Sequence, residues 1–184
     1  TFSLFEAATC KDTLRILSSQ AIDYIVLDLF LVDGSTFPIV DEIITHYPGT
    51  GILISTMNSE KIYGRRLIQK GVRGFVCKQA SISELEKAIR ILLNGDVYIS
   101  PELKADLSGN GSADTERNLI DALSDRELEV VEYLILGIGI KEISNQMNID
   151  ATTVSTYRRR ACEKLKVTSN IELKDKFLLF KMGT

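Results

Sequence analysis

In the first hundred residues short apolar runs alternate with segments of helical periodicity, and this alternation restricts the fold more than any other feature. Residues 24–29 (YIVLDL), 51–55 (GILIS) and 74–77 (GFVC) are almost continuously apolar, as parallel strands buried on both faces must be. Residues 3–8 (SLFEAA) read as a short strand before them. Between the runs, residues 11–19, 37–46 and 83–94 place apolar side chains three and four apart, and residues 59–70 read as a polar helix. Ile39, Val40, Ile43 and Ile44 mark one helix, stopped by Pro48 and Gly49; Leu85, Ala88, Ile89 and Leu92 mark another, stopped by Gly95. Ser83 with Glu86 has the spacing of a capping box. Strands joined by helical crossovers predict a doubly wound parallel sheet.

In such a sheet binding groups gather beyond the carboxyl ends of the strands. Asp28, Thr56 and Lys78 all fall at such ends, so the topology brings one carboxylate, one hydroxyl and one ammonium to a single rim. A solvated acid and two ordinary surface residues are the plainer reading of the three, and only their coincidence at one rim favours a site.

Composition narrows the function classes. Cys10, Cys77 and Cys162 are odd in number and far apart, which fits buried reduced thiols better than a disulfide framework or a metal cluster. A single histidine, His46, leaves little for histidine-based catalysis. The apolar runs fall far short of the ~20 residues a bilayer span needs, and residues 1–10 carry neither a basic start nor an apolar signal core. A cytoplasmic protein with no membrane contact is expected.

The formal charge of −3 conceals an asymmetry: residues 1–122 hold 12 basic against 16 acidic groups, a net of −4, whereas residues 123–184 hold 10 against 9, a net of +1. That excess is small, and its placement carries the argument. Ser124 and Glu127 form a capping box before a helix striped by Leu128, Val131, Leu134 and Ile135, and Gly137 ends it. A short helix over 141–147 and a turn at 148–151 follow. The next helix, 152–166, turns Val154, Ala161 and Leu165 inward and carries Ser155, Thr156 and three consecutive arginines outward. Short polar and long cationic side chains on one helix face suit a major groove, where base edges offer donors and acceptors and the flanking phosphates attract arginine. A fourth helix over 171–180 brings Leu173, Phe177 and Phe180 to the core. Residues 100–121 lose the apolar period and contain Gly109-Asn110-Gly111-Ser112, so a linker with one helical turn at Pro101–Leu107 is expected between domains at 1–99 and 122–184.

The motifs DLFLVDGS around Asp28, LIST ending at Thr56 and GFVCK ending at Lys78 resemble the receiver domain of bacterial two-component response regulators, which has a flavodoxin-like fold. The resemblance implies that Asp28 is the phosphoacceptor, that Thr56 and Lys78 contact the phosphoryl group, and that Phe75 is the switch aromatic. It also implies magnesium (Mg2+) held by Asp28 and the backbone carbonyl of Phe30. The family's metal-binding acidic pair ends its first strand, and this chain begins at what resembles the second. A receiver lacking its first strand is thus expected, with magnesium binding dependent on a pair supplied upstream. Val32, Thr36 and Gln79 also depart from the family's usual proline, glycine and acidic or small residue.

The segments LSDRELEVV, KEIS, TVSTYRRR and KLKV resemble the LuxR-type, or NarL/FixJ-type, helix-turn-helix, an all-α four-helix domain, across residues 123–173. The resemblance assigns Ser155, Thr156 and Arg159 to bases, and Lys141, Arg158, Arg160 and Lys164 to phosphates. Gly139 and Ile140 replace a more usual polar pair. Together the two resemblances imply a DNA-binding transcriptional regulator rather than an enzyme. It would be controlled by phosphorylation from a sensor histidine kinase and bind double-stranded DNA as a homodimer through the fourth helix. The alternative is a receiver that acts as a phosphorylation-independent protein-interaction module attached to the DNA-binding domain.

Overall fold

The computed structural model describes residues 3–107 and 119–182. The chain divides into two compact units, residues 1–110 and 111–184.

In the first unit, helix α1 (Cys10–Ser19) leads into strand β1 (Tyr24–Leu27), followed by a small hairpin of β2 (Phe30–Leu31) and β3 (Gly34–Ser35). Helix α2 (Phe37–His46), strand β4 (Gly51–Thr56), helix α3 (Glu60–Lys70), strand β5 (Gly74–Cys77) and helices α4 (Ile82–Leu93) and α5 (Pro101–Leu107) complete it. The sheet order is β1-β4-β5 with both pairings parallel, and α2 and α3 are the crossovers. Strands β4 and β5 are buried, with Ile52, Leu53, Ile54, Phe75 and Val76 each 3% exposed or less, whereas β1, expected to be buried on both faces, is an edge strand on which Val26 is 55% exposed. Leu53 and Val76 pack with Ala88, Leu92 and Tyr98 on the α4 side. Ile52, Ile54 and Phe75, one residue out of step, belong to the opposite face by the two-residue period of a strand. Each such side chain contributes about 1.5–3 kcal/mol by leaving water.

At the start of β5 a Cβ on Gly74 would stand 2.7 Å from Leu53 Cδ1, so a larger residue would have to push that buried side chain aside. The closeness lets Tyr98 bridge to Gly74 as an extra parallel rung, its N–H donating to Arg73 O at 2.8 Å.

Several expectations need correction. Residues 3–8 form no strand, since they have no ladder partner; Leu4 is 86% exposed. The cap of α4 is Ser81, whose hydroxyl accepts from Glu84 N–H, rather than Ser83 with Glu86. The same serine-to-glutamate spacing occurs two residues earlier, and the earlier start frees the Glu84 carboxylate to accept from Tyr98 Oη at 2.9 Å. The three cysteines are free thiols but only half-buried. Helix α5, the helical turn expected at Pro101–Leu107, packs on α3. Residues 109–112, read as the heart of the linker, lie outside the described residues.

The second unit consists chiefly of α6 (Asp125–Ile135), α7 (Ile140–Met147), α8 (Ala151–Leu165) and α9 (Asn170–Met182). Helices α6, α7, α8 and α9 enclose one core in which Leu128, Val131, Ile143, Val154, Ala161, Leu165, Leu173 and Phe177 are fully buried. The capping box at Ser124 and Glu127 is present in full. Asn148 ends α7 and Lys166 ends α8 in the left-handed region, with φ of 51° and 55°. Among the described residues no helix is long and apolar enough to cross a membrane.

Candidate functional site

Strand ends bring the three rim residues of the first unit together. The register pairs Leu27 with Ile54 and Thr56 with Cys77, so Asp28, Thr56 and Lys78 sit at adjacent carboxyl ends. Lys78 N–H donates to Thr56 O at 2.8 Å, which anchors the base of the lysine to the neighbouring strand. Its Nζ reaches Asp28 Oδ2 at 2.7 Å, with side chains 45% and 25% exposed. Thr56 is fully buried, and its hydroxyl is among the groups that lower the Asp28 pKa. Asn58, a residue that sequence reasoning passed over, donates to the Thr56 hydroxyl from its backbone N and from Nδ2, each at 3.3 Å.

Burial pushes the Asp28 pKa up. The Lys78 ammonium, the Thr56 hydroxyl and the Leu29 N–H together outweigh it, and the carboxyl sits below its ordinary value. The acid is therefore ionised at neutral pH, reachable by solvent and surrounded by donors fixed to rigid strands. Those are the properties of a nucleophile awaiting an electrophile whose oxygens need neutralising. Phe75 lies 1% exposed on β5, paired in register with Ile54.

The loop after Asp28 folds back as the β2–β3 hairpin, pairing Phe30 with Ser35. Asp33, at its turn, accepts from Cys10 N–H at 2.8 Å and Lys11 N–H at 3.4 Å, which ties the hairpin to the start of α1. Val32 projects into solvent, 86% exposed, whereas Thr36 is completely buried. The resemblance assigns a metal to Asp28 and the Phe30 backbone carbonyl, and of these the Asp28 carboxylate stands at the rim. Among the described residues no group of three or more His, Cys, Asp or Glu could hold an ion. One carboxylate does not by itself make a magnesium site, and the resemblance calls for an acidic pair beside it.

In the second unit, α8 presents its basic face. Arg159 Nη1 reaches Glu163 Oε1 at 2.6 Å, one turn along, with both side chains largely exposed. Arg158 Nε donates to Asn170 Oδ1 at 2.8 Å across the junction to α9. Ser155 and Thr156 are on the outer surface, their hydroxyls donating to Ala151 O and Thr152 O at 2.9 Å each. Arg160 and Lys141 are exposed. Lys164 is placed differently: its Nζ reaches Glu127 Oε2 at 2.6 Å, and that carboxylate is 3% exposed. The same oxygen accepts from Ser124 N–H at 2.7 Å, so the capping box of α6 also fastens α8. Burial pushes Glu127 up, but Lys164 and Ser124 bring it below its ordinary value. The capping spacing is legible in the sequence; the lysine from a helix 37 residues on is not.

Comparison with known proteins agrees with both halves. Residues 1–90 match the family model for the response regulator receiver domain, and residues 121–177 that for bacterial regulatory proteins of the luxR family. The chain is 31% identical over 170 residues to the virulence-factor transcription regulator BvgA of Bordetella pertussis, covering 89% of this chain and 78% of that protein. The oxygen regulatory protein NreC of Staphylococcus carnosus is 29% identical over 158 residues, covering 82% and 73%. Among solved structures, the RcsB response regulator of Salmonella typhimurium shares the fold, with a TM-score of 0.74 at 24% identity over 95% of this chain and 82% of that one. RcsB bound to the rprA promoter with phosphomimetic BeF3− gives 0.69 at 24% identity, over 92% and 81%. With a receiver rim in the first unit, a LuxR-type helical domain in the second and relatives matched across both, the chain belongs to the NarL/FixJ family of two-component response regulators.

Proposed function

We propose that this protein is a cytoplasmic transcriptional regulator whose binding to double-stranded DNA through α8 is controlled by phosphorylation of Asp28. The observation that carries the switch is the ionised, quarter-exposed Asp28 carboxylate held between Lys78 Nζ at 2.7 Å and the buried Thr56 hydroxyl.

In the transfer, an Asp28 carboxylate oxygen forms a bond to the donor's phosphorus. The bond from phosphorus to the leaving group, the imidazole nitrogen of a sensor histidine kinase or the acyl oxygen of a small phosphodonor, breaks, and the leaving group takes its electron pair. Lys78 and Thr56 then exchange the carboxylate for phosphoryl oxygens. Magnesium, if an acidic pair joined Asp28 and the Phe30 carbonyl in holding it, would supply further neutralisation of that charge. Movement of Thr56 toward the phosphoryl group changes the packing next to Phe75, the switch aromatic. This biases an equilibrium between binding-competent and incompetent states.

On DNA, Ser155, Thr156 and Arg159 read bases, while Arg158, Arg160 and Lys141 meet phosphates. Lys164, assigned by resemblance to the same task, is also held by Glu127. Ile171, Leu178 and Leu179 are 75%, 39% and 53% exposed on α9, which suits a homodimer contact. Such a pair presents two reading helices about 34 Å apart, one duplex turn.

The test is mass spectrometry after incubation with acetyl phosphate and magnesium, beside Asp28→Ala, with DNA affinity measured on the same samples. One added phosphoryl mass, lost in the variant, and tighter DNA binding only in the phosphorylated parent are expected. DNA binding with no phosphoryl uptake would leave the reader and remove the switch, making the first unit a phosphorylation-independent interaction module.

A further inference from the structure

One buried side chain fixes Asp28 without touching its carboxylate. Thr36 stands at the amino-terminal cap of α2, where a threonine hydroxyl ordinarily accepts from the first free N–H groups of the helix. Here it makes no capping bond. Its Oγ1 instead donates backward to the carbonyl of Asp28 at 2.8 Å, and its N–H donates to Leu29 O at 2.9 Å. The helix start is served by the residue before it, since Ser35 Oγ accepts from Phe37 N–H at 3.3 Å. Thr36 is 0% exposed.

The arrangement answers a local need. Asp28 is the first residue past β1, whose last ladder pair is Leu27 with Ile54, so its carbonyl lies beyond the strand's own pairing. A part-buried carbonyl without a donor is costly, and one free to tilt carries its own Cβ with it. The contact of Asp28 with Lys78 is already at 2.7 Å, and a shift of about 1 Å would take it out of hydrogen-bond range. Glycine or alanine at position 36 has no hydroxyl to offer.

We infer that Thr36 is a positioning residue for Asp28: by hydrogen-bonding the carbonyl at the strand end, it holds the carboxylate in register with Lys78 and Thr56. The kinetic part of the inference rests on the reading of Asp28 as phosphoacceptor, whereas the geometric part does not.

Thr36→Val keeps the branch and the volume and removes only the donor; Thr36→Ser keeps the donor. Two quantities are measured on the full chain, with folding checked by circular dichroism. One is the rate of phosphoryl uptake from acetyl phosphate and magnesium. The other is the Asp28 to Lys78 distance in crystals of each variant. Thr36→Val should take up the group about tenfold more slowly, the equivalent of about 1.4 kcal/mol on the barrier. Its Asp28 to Lys78 contact should open beyond about 3.2 Å. Thr36→Ser should restore both. If Thr36→Val does not fold, Thr36→Ala, which removes the same hydroxyl without a clashing methyl, takes its place.

A parental contact distance in the donor-less variant overturns the inference whatever the rate, and so does failure of Thr36→Ser to restore that contact. If the parent itself takes up no phosphoryl group, the proposed function fails, and the crystal distance alone decides the role of Thr36.

Discussion

Each unit contains a carboxylate paired with a lysine from far along the chain, and the two pairs are nearly the same length. Asp28 meets Lys78 at 2.7 Å and Glu127 meets Lys164 at 2.6 Å. In both, burial raises the acid's pKa and the ammonium with its neighbouring donors lowers it further than burial raised it. The difference is in the mounting. Glu127 is 3% exposed inside a helical core and spends its oxygens on a capping box and a neighbouring helix. Asp28 stands at the open ends of strands, a quarter of its side chain in solvent. Pair chemistry alone therefore does not separate a staple from a site. Solvent access and the rigidity of the surrounding donors do.

The sharpest way to break this comparison is to remove each acid in turn. Glu127→Ala takes away a cap and strands a half-buried ammonium, and should cost about 2–3 kcal/mol. Asp28→Ala removes a solvent-screened pair and should cost about 0–1 kcal/mol. Urea unfolding of the full chain at neutral pH reads both, and equal losses would erase the distinction.

The basic helix offers the next contrast, this time between lysines and arginines on one element. Arg159→Ala should lose about 1–3 kcal/mol of discrimination between cognate and mismatched DNA. Arg160→Ala should weaken all sequences alike and lower the salt slope by about 1. Lys164→Ala should lower stability while leaving the salt slope where it was, because its ammonium is already held by Glu127. A salt slope that falls in Lys164→Ala as it does in Arg160→Ala would return that lysine to the phosphate contacts.

Acid separates the pairs more finely. A carboxyl whose folded pKa lies below its unfolded value contributes stability that is complete above the unfolded value and is lost as pH falls through the folded one. Glu127 should therefore help to unfold the second unit below about pH 4, and Glu127→Gln should flatten that part of the stability profile. Thermal melts between pH 3 and 7 provide the check; an unchanged profile would mean that the Lys164 contact contributes nothing in solution.

How far the sequence discloses this depends on the range of each interaction. Asp28, Thr56 and Lys78 could be placed on one rim because strand ends follow from apolar runs, and parallel topology aligns those ends. The inward positions of α8 follow from period alone, and Val154, Ala161 and Leu165 are all fully buried. What the pattern does not disclose depends on tertiary partners. The engagement of Lys164 needs two helices to be packed before it exists. The turn of Thr36 away from its own helix needs the Asp28 loop to be closed. Residues 3–8 show the converse failure, since a pattern suited to a strand specifies one only where a neighbouring ladder receives it.

The smallest effect sets fold against function at one residue. Lys166 ends α8 with φ of 55° and ψ of 48°, a conformation costing a non-glycine residue about 1 kcal/mol, although its N–H and that of Val167 close the helix properly on Glu163 O and Cys162 O. A cation at a helix carboxyl end regains about 0.3–0.5 kcal/mol through the dipole. Lys166→Gly should thus stabilise the second unit by only about 0.5 kcal/mol, because glycine also gains entropy in the unfolded chain. If a lysine stands in a glycine's place because its exposed ammonium meets a DNA phosphate, the same change should weaken DNA binding and lower the salt slope by about 1. A gain in stability with a loss of affinity would place Lys166 with Asp28, as a residue kept for its reach at the expense of its fit. A gain in stability with unchanged affinity would place it with neither pair, as a tolerated strain.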